Sequence, residues 1–185
     1  INVVTTTGIG NAFSLMIVEW AQGSLFITLV LVALASLVLG MGLPVTASYI
    51  VLATLSAPLI YDLISQSALL DAILIGIQAG DLPNNVAATL SLFGGDPLIA
   101  LQEMPLEMKQ LIRQEMLPAE LLTGMLLSAH LIIFWLSQDS NVTPPVCLAS
   151  FAAAGIAGTN PMATGLTSWK VAKGLYLVPI LFAYS

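Results

Sequence analysis

The chain has 185 residues, of which 58% are apolar and only 8% charged, with a mean hydropathy of +0.98. Soluble domains carry roughly a quarter charged residues, so this composition reads as an integral membrane protein. A net charge of −6 excludes a nucleic-acid binder, which needs a basic face, and the lone Cys147 excludes a disulfide framework or a cysteine metal site. The four bases, Lys109, Arg113, Lys170 and Lys173, are too few to orient the chain by positive-inside counting. It begins at Ile1 with no basic leader and cleavage site, and reads as a C-terminal piece of a larger membrane protein.

Residues 1–61 are expected to hold a transmembrane helix and a helical hairpin. The first helix carries Thr5-Thr6-Thr7-Gly8 and the apolar run Phe13 to Val18, with Glu19 and Trp20 at an interface. From Ala21 to Tyr61 no residue is charged over 41 positions, about twice the roughly 20 residues that cross a bilayer once. Gly40-Met41-Gly42-Leu43-Pro44 interrupts this run. Glycine loses the most backbone entropy on ordering, and Pro44 lacks an amide donor and clashes with the preceding turn. Two arms are predicted, Leu25 to Leu39 and Val45 to Ile60, the second stopping near Pro58. Each arm spans only ~22–25 Å at ~1.5 Å per residue. The residues allow two readings. One is a hairpin with its turn in the headgroups; the other is a re-entrant pair whose broken backbone lines a cavity, since unpaired N–H and C=O groups are not tolerated in hydrocarbon.

Residues 62–120 read as an acidic interfacial or extramembrane insertion, holding eight of the ten acids. Leu63 to Ile77 is expected as an interfacial helix, and Asp81-Leu82-Pro83-Asn84-Asn85 and Gly94-Gly95-Asp96-Pro97 as turns. Pro105 to Leu117 reads as a short amphipathic helix with Met104, Met108, Leu111 and Ile112 on its apolar side. The acids read as a solvated face.

Residues 121–158 read as a discontinuous transmembrane helix. Leu121 to Leu136 is apolar, Ser137-Gln138-Asp139-Ser140-Asn141-Val142-Thr143-Pro144-Pro145 breaks it, and a small-residue half-helix runs from Val146 to Ala157. The paired prolines donate no backbone hydrogen bonds and push Thr143 out of the α region. Ala149, Ala152, Ala153, Ala154, Gly155 and Gly158 allow close approach of another helix. In residues 159–185, Met162 to Lys173 is expected to lie on the surface, and Leu175 to Tyr184 starts a last helix.

Two broken apolar segments in one membrane domain point to a transport site. The tip and the break offer backbone carbonyls, the hydroxyls of Thr46, Ser48, Ser140 and Thr143, and the Asn141 amide. Neutral oxygen donors suit a monovalent hard cation such as Na⁺, whereas Zn²⁺ asks for His and Cys and Ca²⁺ for several carboxylates. The positive end of the half-helix at Val146 would stabilise an anionic substrate group.

Gly40-Met41-Gly42-Leu43-Pro44-Val45-Thr46-Ala47-Ser48-Tyr49-Ile50 resembles the hairpin-tip motif of the large membrane subunit of TRAP transporters (tripartite ATP-independent periplasmic transporters), in its fused-permease form. Thr143-Pro144-Pro145-Val146, continuing to Ala153-Ala154-Gly155-Ile156-Ala157-Gly158-Thr159-Asn160-Pro161-Met162, resembles that family's second signature. The likeness covers about two-thirds of the chain, in the C-terminal repeat. It implies an all-α integral membrane protein with a helical hairpin and a discontinuous transmembrane helix, forming the second repeat of an elevator-type ion-transporter fold. It further implies sodium-coupled transport of organic acid anions across the bacterial or archaeal inner membrane. The implied partners are a periplasmic solute-binding protein and a small membrane subunit, often fused upstream. Na⁺ is the coupling ion and no other cofactor is implied. Carried over to this chain, the likeness puts the cation on Gly40, Gly42 and Thr46 on one side, and on Ser140, Thr143 and Pro144 on the other. Substrate contacts fall on Pro44, Ser48, Asn141 and Pro145. Three departures stand out: Val45 where the family usually has Thr, Ala163 where Lys is common, and the long segment Asp62 to Glu120.

Other signals weigh less. Tyr61-Asp62 and Gly80-Asp81 superficially fit an intramembrane aspartyl protease, but Asp81 sits in a turn and no Gly-x-Gly-Asp occurs. Gly-x-Ser-x-Gly is absent, so no hydrolase and no catalytic residues are expected. His130 reads either as a hydrogen-bonded structural histidine or as a proton relay, and Asp139 as an interfacial charge or a cation partner. Asn141-Val142-Thr143 matches a glycosylation sequon, but Pro144 follows and the position reads as intramembrane. Two alternatives to sodium transport remain: a proton-coupled carrier of the same fold using Asp139 or His130, and a non-transporting structural subunit.

Overall fold

The computed structural model describes residues 16–184 apart from Val18 and Gln22. The expected first helix, including Thr5 to Gly8, therefore falls largely outside the described residues. Among the described residues every regular element is helical. The chain forms two compact units: the described part of Ile1–Tyr61 with Leu127–Ser185, and Asp62–Leu126.

In the first unit, α1 spans Leu25–Gly40 and starts where the Ser24 side chain accepts the Ile27 amide hydrogen. It is apolar on every face, as a helix in lipid must be. Phe26, Val30, Leu34 and Val38 point outward, while Thr28, Val32, Ser36 and Gly40 form a buried stripe at four-residue spacing. The turn Met41–Pro44 closes on itself through amides of Met41, Gly42 and Leu43 given to the Val38 and Leu39 carbonyls. Helix α2 follows as Val45–Ala79, 35 residues without interruption. The turn joins the two predicted arms, but the second does not stop near Pro58, and Leu63 to Ile77 is not a separate helix. Pro58 is exposed, as is Thr54 one turn earlier, whose carbonyl loses its partner to the missing proline amide. The opposite face, with Ser48, Leu52, Ser56 and Ile60 fully buried, continues unbroken and carries the helix past the proline.

The second unit contains the end of α2 together with α3 (Asn84–Leu92), α4 (Pro97–Glu103), α5 (Leu106–Met116) and the start of α6 (Ala119–Ser137). Its core is Leu69, Ile73, Val86, Leu90, Ala100, Leu101, Met104, Ile112 and Leu117. Helix α4 is capped by Asp96, whose carboxylate accepts the Leu98 and Ile99 amides at 2.9 and 3.2 Å. Two expectations are corrected here. Leu111 lies outward, 69% exposed, while Met104 and Ile112 are buried and Met108 is partly covered. Asp62 does not belong to the solvated acidic face: it is buried, with Arg113 Nη2 at 2.5 Å and Lys109 Nζ at 3.3 Å. Arg113, 1% exposed, is the largest fully buried side chain described. The other acids, Asp71, Asp81, Asp96, Glu103, Glu107, Glu115 and Glu120, are exposed.

Back in the first unit, α6 runs into a 3₁₀ turn, Asp139–Asn141, and then the break. Helix α7 spans Leu148–Ala157, α8 Pro161–Val171 and α9 Gly174–Tyr184. The half-helix thus starts two residues later than expected, because residues 144–147 are spent turning. The Pro144–Pro145 peptide is cis, and Cys147 adopts φ 36°. By length and composition, Val45–Ala79 and Ala119–Asn141 can each cross a membrane, with Leu25–Gly40 and Leu148–Ala157 as shorter apolar helices.

Candidate functional site

The hairpin tip and the break meet. Gly40, the last residue of α1, lies so close to Ser140 that a Cβ built on it would collide with the Ser140 Oγ and Cβ. One turn earlier, Ser36 Oγ donates to the Leu136 carbonyl at 2.6 Å, fixing α1 along the end of α6. Both Gly40 and Ser140 are buried.

Backbone bookkeeping shows what this contact holds. In a helix each carbonyl accepts the amide four residues on. For Gly40 that residue is Pro44; for Ser140 and Asn141 it is Pro144 and Pro145. None of the three prolines has an N–H. The nearby amides are spent elsewhere: Leu43 on the Leu39 carbonyl, Thr143 on Asp139, and Cys147 on Thr143 at 3.3 Å. The prolines therefore free the carbonyls of Gly40, Ser140 and Asn141, and two of these three residues are in contact. A freed carbonyl is a neutral, hard oxygen donor. Helix α7 begins directly after the break, and its N-terminal end favours an anion.

The Thr143 side chain is held by partners the sequence did not reveal. Its hydroxyl donates to Asp139 Oδ1 and lies 2.6 Å from the Tyr176 hydroxyl. Tyr176, on α9, donates to the same Asp139 oxygen at 2.5 Å and accepts from Trp169 Nε1 at 3.1 Å. Asp139 is only 4% exposed, so its charge lies within the protein and away from solvent. Tyr176 and Trp169 are separated from it by 37 and 30 residues, and no local pattern links them.

The remaining predicted residues are placed as follows. Ser48 is buried, and its Oγ has no hydrogen-bond partner among the described residues; the same holds for Ser56 and Ser150. Gly42, Pro44 and Thr46 are exposed at the tip, Asn141 and Pro144 are half-buried, and Pro145 is exposed. The structure thus brings Gly40 to Ser140 and Thr143 to Asp139, and does not draw Gly42 or Thr46 into that cluster. His130 is half-buried and hydrogen-bonds through Nδ1 to the Tyr49 hydroxyl at 3.2 Å, joining α6 to α2. Behind the break, Gly165 of α8 passes over Cys147: a Cβ there would lie 2.9 Å from the sulfur. An open groove of about 660 Å³ beside Val142 is lined by Thr159, Asn160, Thr164, Thr167 and Ser168 of the α7–α8 corner. The Thr164 and Thr167 hydroxyls donate to the Asn160 and Ala163 carbonyls at 2.9 Å. Among the described residues no group of three His, Cys, Asp or Glu side chains forms a metal cluster.

An all-helical chain with membrane-length helices, whose two proline-broken segments close on each other, has the build of an integral membrane transporter. Sequence comparison makes the class specific: residues 1–185 match the DctM component of the tripartite ATP-independent periplasmic transporters, and the chain belongs to that family. Its members are secondary transporters, not enzymes, and work with a periplasmic binding protein and a small membrane subunit. Comparison with curated proteins gives no match, and comparison with solved structures gives none either.

Proposed function

We propose that this chain carries part of the ion and substrate path of a multi-pass inner-membrane carrier that couples Na⁺ entry to uptake of an organic acid anion. The binding protein delivers the anion. The observation that supports this most directly is the contact of Gly40 with Ser140, two residues whose carbonyls are freed by prolines four positions on. Neutral oxygens gathered in a buried place fit a monovalent hard cation. The buried contact supports Gly40, Ser140 and Thr143 for the cation; Gly42, Thr46 and Pro144, which lie outside it, and the substrate set Pro44, Ser48, Asn141 and Pro145 rest on the family resemblance. The hairpin and the discontinuous helix would move together as the mobile part of an elevator. Residues 1–61 and 121–158 would supply the transport elements, residues 62–120 an insertion at the membrane surface, and residues 159–185 a surface segment leading into the last helix.

The test is uptake into proteoliposomes holding the assembled permease, with its binding protein and candidate acids, with and without a Na⁺ gradient. Uptake that needs both, and that falls at least tenfold in Thr143→Val, supports the reading. Uptake indifferent to Na⁺ but driven by a pH gradient moves the coupling to protons, with Asp139 and His130 as the protonatable groups. Unchanged flux in both Gly42→Leu and Thr143→Val leaves a structural role only.

A further inference from the structure

Of the two acids described in the first unit, Glu19 is exposed and Asp139 is buried. Among the described residues no Lys or Arg forms an ion pair with Asp139; both ion pairs belong to Asp62 in the other unit. A buried carboxylate without a counter-charge costs several kcal/mol. It persists where its hydrogen bonds and a bound charge offset that cost.

We infer that Asp139 and Tyr176 are positioning residues for the cation at the break: they hold the Thr143 hydroxyl proton, and so leave the Thr143 lone pairs and the freed carbonyls of Ser140 and Asn141 to the ion. This rests on the Na⁺-coupled reading above and adds to it the residues that set the polarity of the site.

A threonine hydroxyl has one proton and can face a neighbour either as donor or as acceptor. With that proton on Asp139 Oδ1, Thr143 offers only lone pairs to anything else that reaches it. Tyr176 is committed in the same sense: it accepts the Trp169 indole proton and gives its own to Asp139. The two hydroxyl oxygens lie 2.6 Å apart, within hydrogen-bond reach, so the Tyr176 proton is shared between Asp139 and the Thr143 oxygen while that of Thr143 goes to the carboxylate. That arrangement concentrates negative potential beside Thr143, in a place where low dielectric screens it little. A cation is stabilised there and an anionic group is repelled. The carboxylate acts through Thr143, as an outer partner that orients a ligand and raises its donor strength. Tyr176 adds the geometry, since it reaches Asp139 from α9, a separate helix.

The experiment uses the purified full permease with Asp139→Asn and Tyr176→Phe. Thermal unfolding is titrated with NaCl against choline chloride at constant ionic strength, and the Na⁺ dependence of uptake is measured in parallel. Asp139→Asn is expected to raise the Na⁺ midpoint at least tenfold in both readouts, and Tyr176→Phe threefold to tenfold. The substrate KM at saturating Na⁺ should stay within twofold of wild type. A lowered melting temperature in Na⁺-free buffer with the midpoint unmoved would make the cluster a structural latch and overturn the inference. If Asp139→Asn does not fold, Tyr176→Phe decides by the same criterion. A wild-type protein with no Na⁺-specific stabilisation and Na⁺-independent uptake overturns the sodium reading itself, and the positioning role with it.

Discussion

Replacing Gly40 by alanine tests whether the tip and the break are packed as described. In most helices this change is favourable, because glycine costs roughly 1 kcal/mol relative to alanine. Here the added Cβ meets both the Oγ and the Cβ of Ser140. A rotamer change of Ser140 moves the Oγ but not the Cβ, so α1 must shift away from the 3₁₀ turn. Overpacking of this kind costs ~1–3 kcal/mol. The shift also strains the 2.6 Å Ser36–Leu136 hydrogen bond one turn away, a further ~1 kcal/mol. Set against the helix gain of about 1 kcal/mol, the net loss is roughly 1–3 kcal/mol. The measurement is the melting temperature of the purified permease, with uptake beside it. Ser140→Ala keeps the offending Cβ and should not rescue Gly40→Ala, whereas Ser140→Gly removes it and should restore most of the lost stability. A Gly40→Ala variant at least as stable as wild type, or rescue by Ser140→Ala as good as by Ser140→Gly, would refute the packing.

Three further outcomes are expected. Pro44→Ala returns an N–H to the position facing the Gly40 carbonyl; the melting temperature should hold or rise while the Na⁺ midpoint of uptake rises severalfold, read from Na⁺ titrations of transport. Gly165→Ala puts a Cβ 2.9 Å from Cys147 Sγ and should cost about 1 kcal/mol after the helix gain, with Cys147→Gly relieving both the contact and the φ of 36° in the double variant, as melting temperatures would show. Asp62→Asn takes the negative charge from Arg113, which is buried, and should loosen the second unit by about 3 kcal/mol, seen as faster hydrogen exchange in Leu106–Met116.

How much of this was legible in the sequence depended on whether the information was local. The tip and the break announce themselves through Gly40, Pro44, Pro144 and Pro145, whose effects reach only four residues. Taken alone, Pro58 predicts the end of an arm, but the face on which it lies decides otherwise. A proline costs one donor on an exposed side, and the buried side with Leu52, Ser56 and Ile60 outweighs it. Leu111 was placed inward because the apolar stripe of a short helix is wide enough to accept it, while the observed core takes Met104, Ile112 and Leu117 instead. Asp62 looked like one more acid in an acidic stretch; its partners Lys109 and Arg113 are 47 and 51 residues away. Asp139 reads equally as a surface charge or a cation partner for the same reason, since Tyr176 and Trp169 are linked to it only by the fold.

The spacing shared by the tip and the break is more informative than either motif alone. Gly40 precedes Pro44 by four residues and Ser140 precedes Pro144 by four, so the two residues that touch each have a proline, without an N–H, at the position that would pair with their carbonyl in a helix. A turn lying in the headgroups would have no use for this offset, because water satisfies its carbonyls wherever they fall. Gly40 and Ser140 are instead buried, where an unmet carbonyl costs several kcal/mol in hydrocarbon. A single ligand that reached both carbonyls would offset both costs. A cation does so without adding bulk between helices that already touch, whereas a hydrogen-bond donor side chain would have to be built into the space that Gly40 keeps clear. On the sodium reading proposed above, the glycine would make the contact, the prolines would supply the donors, and a small positive ion would suit both.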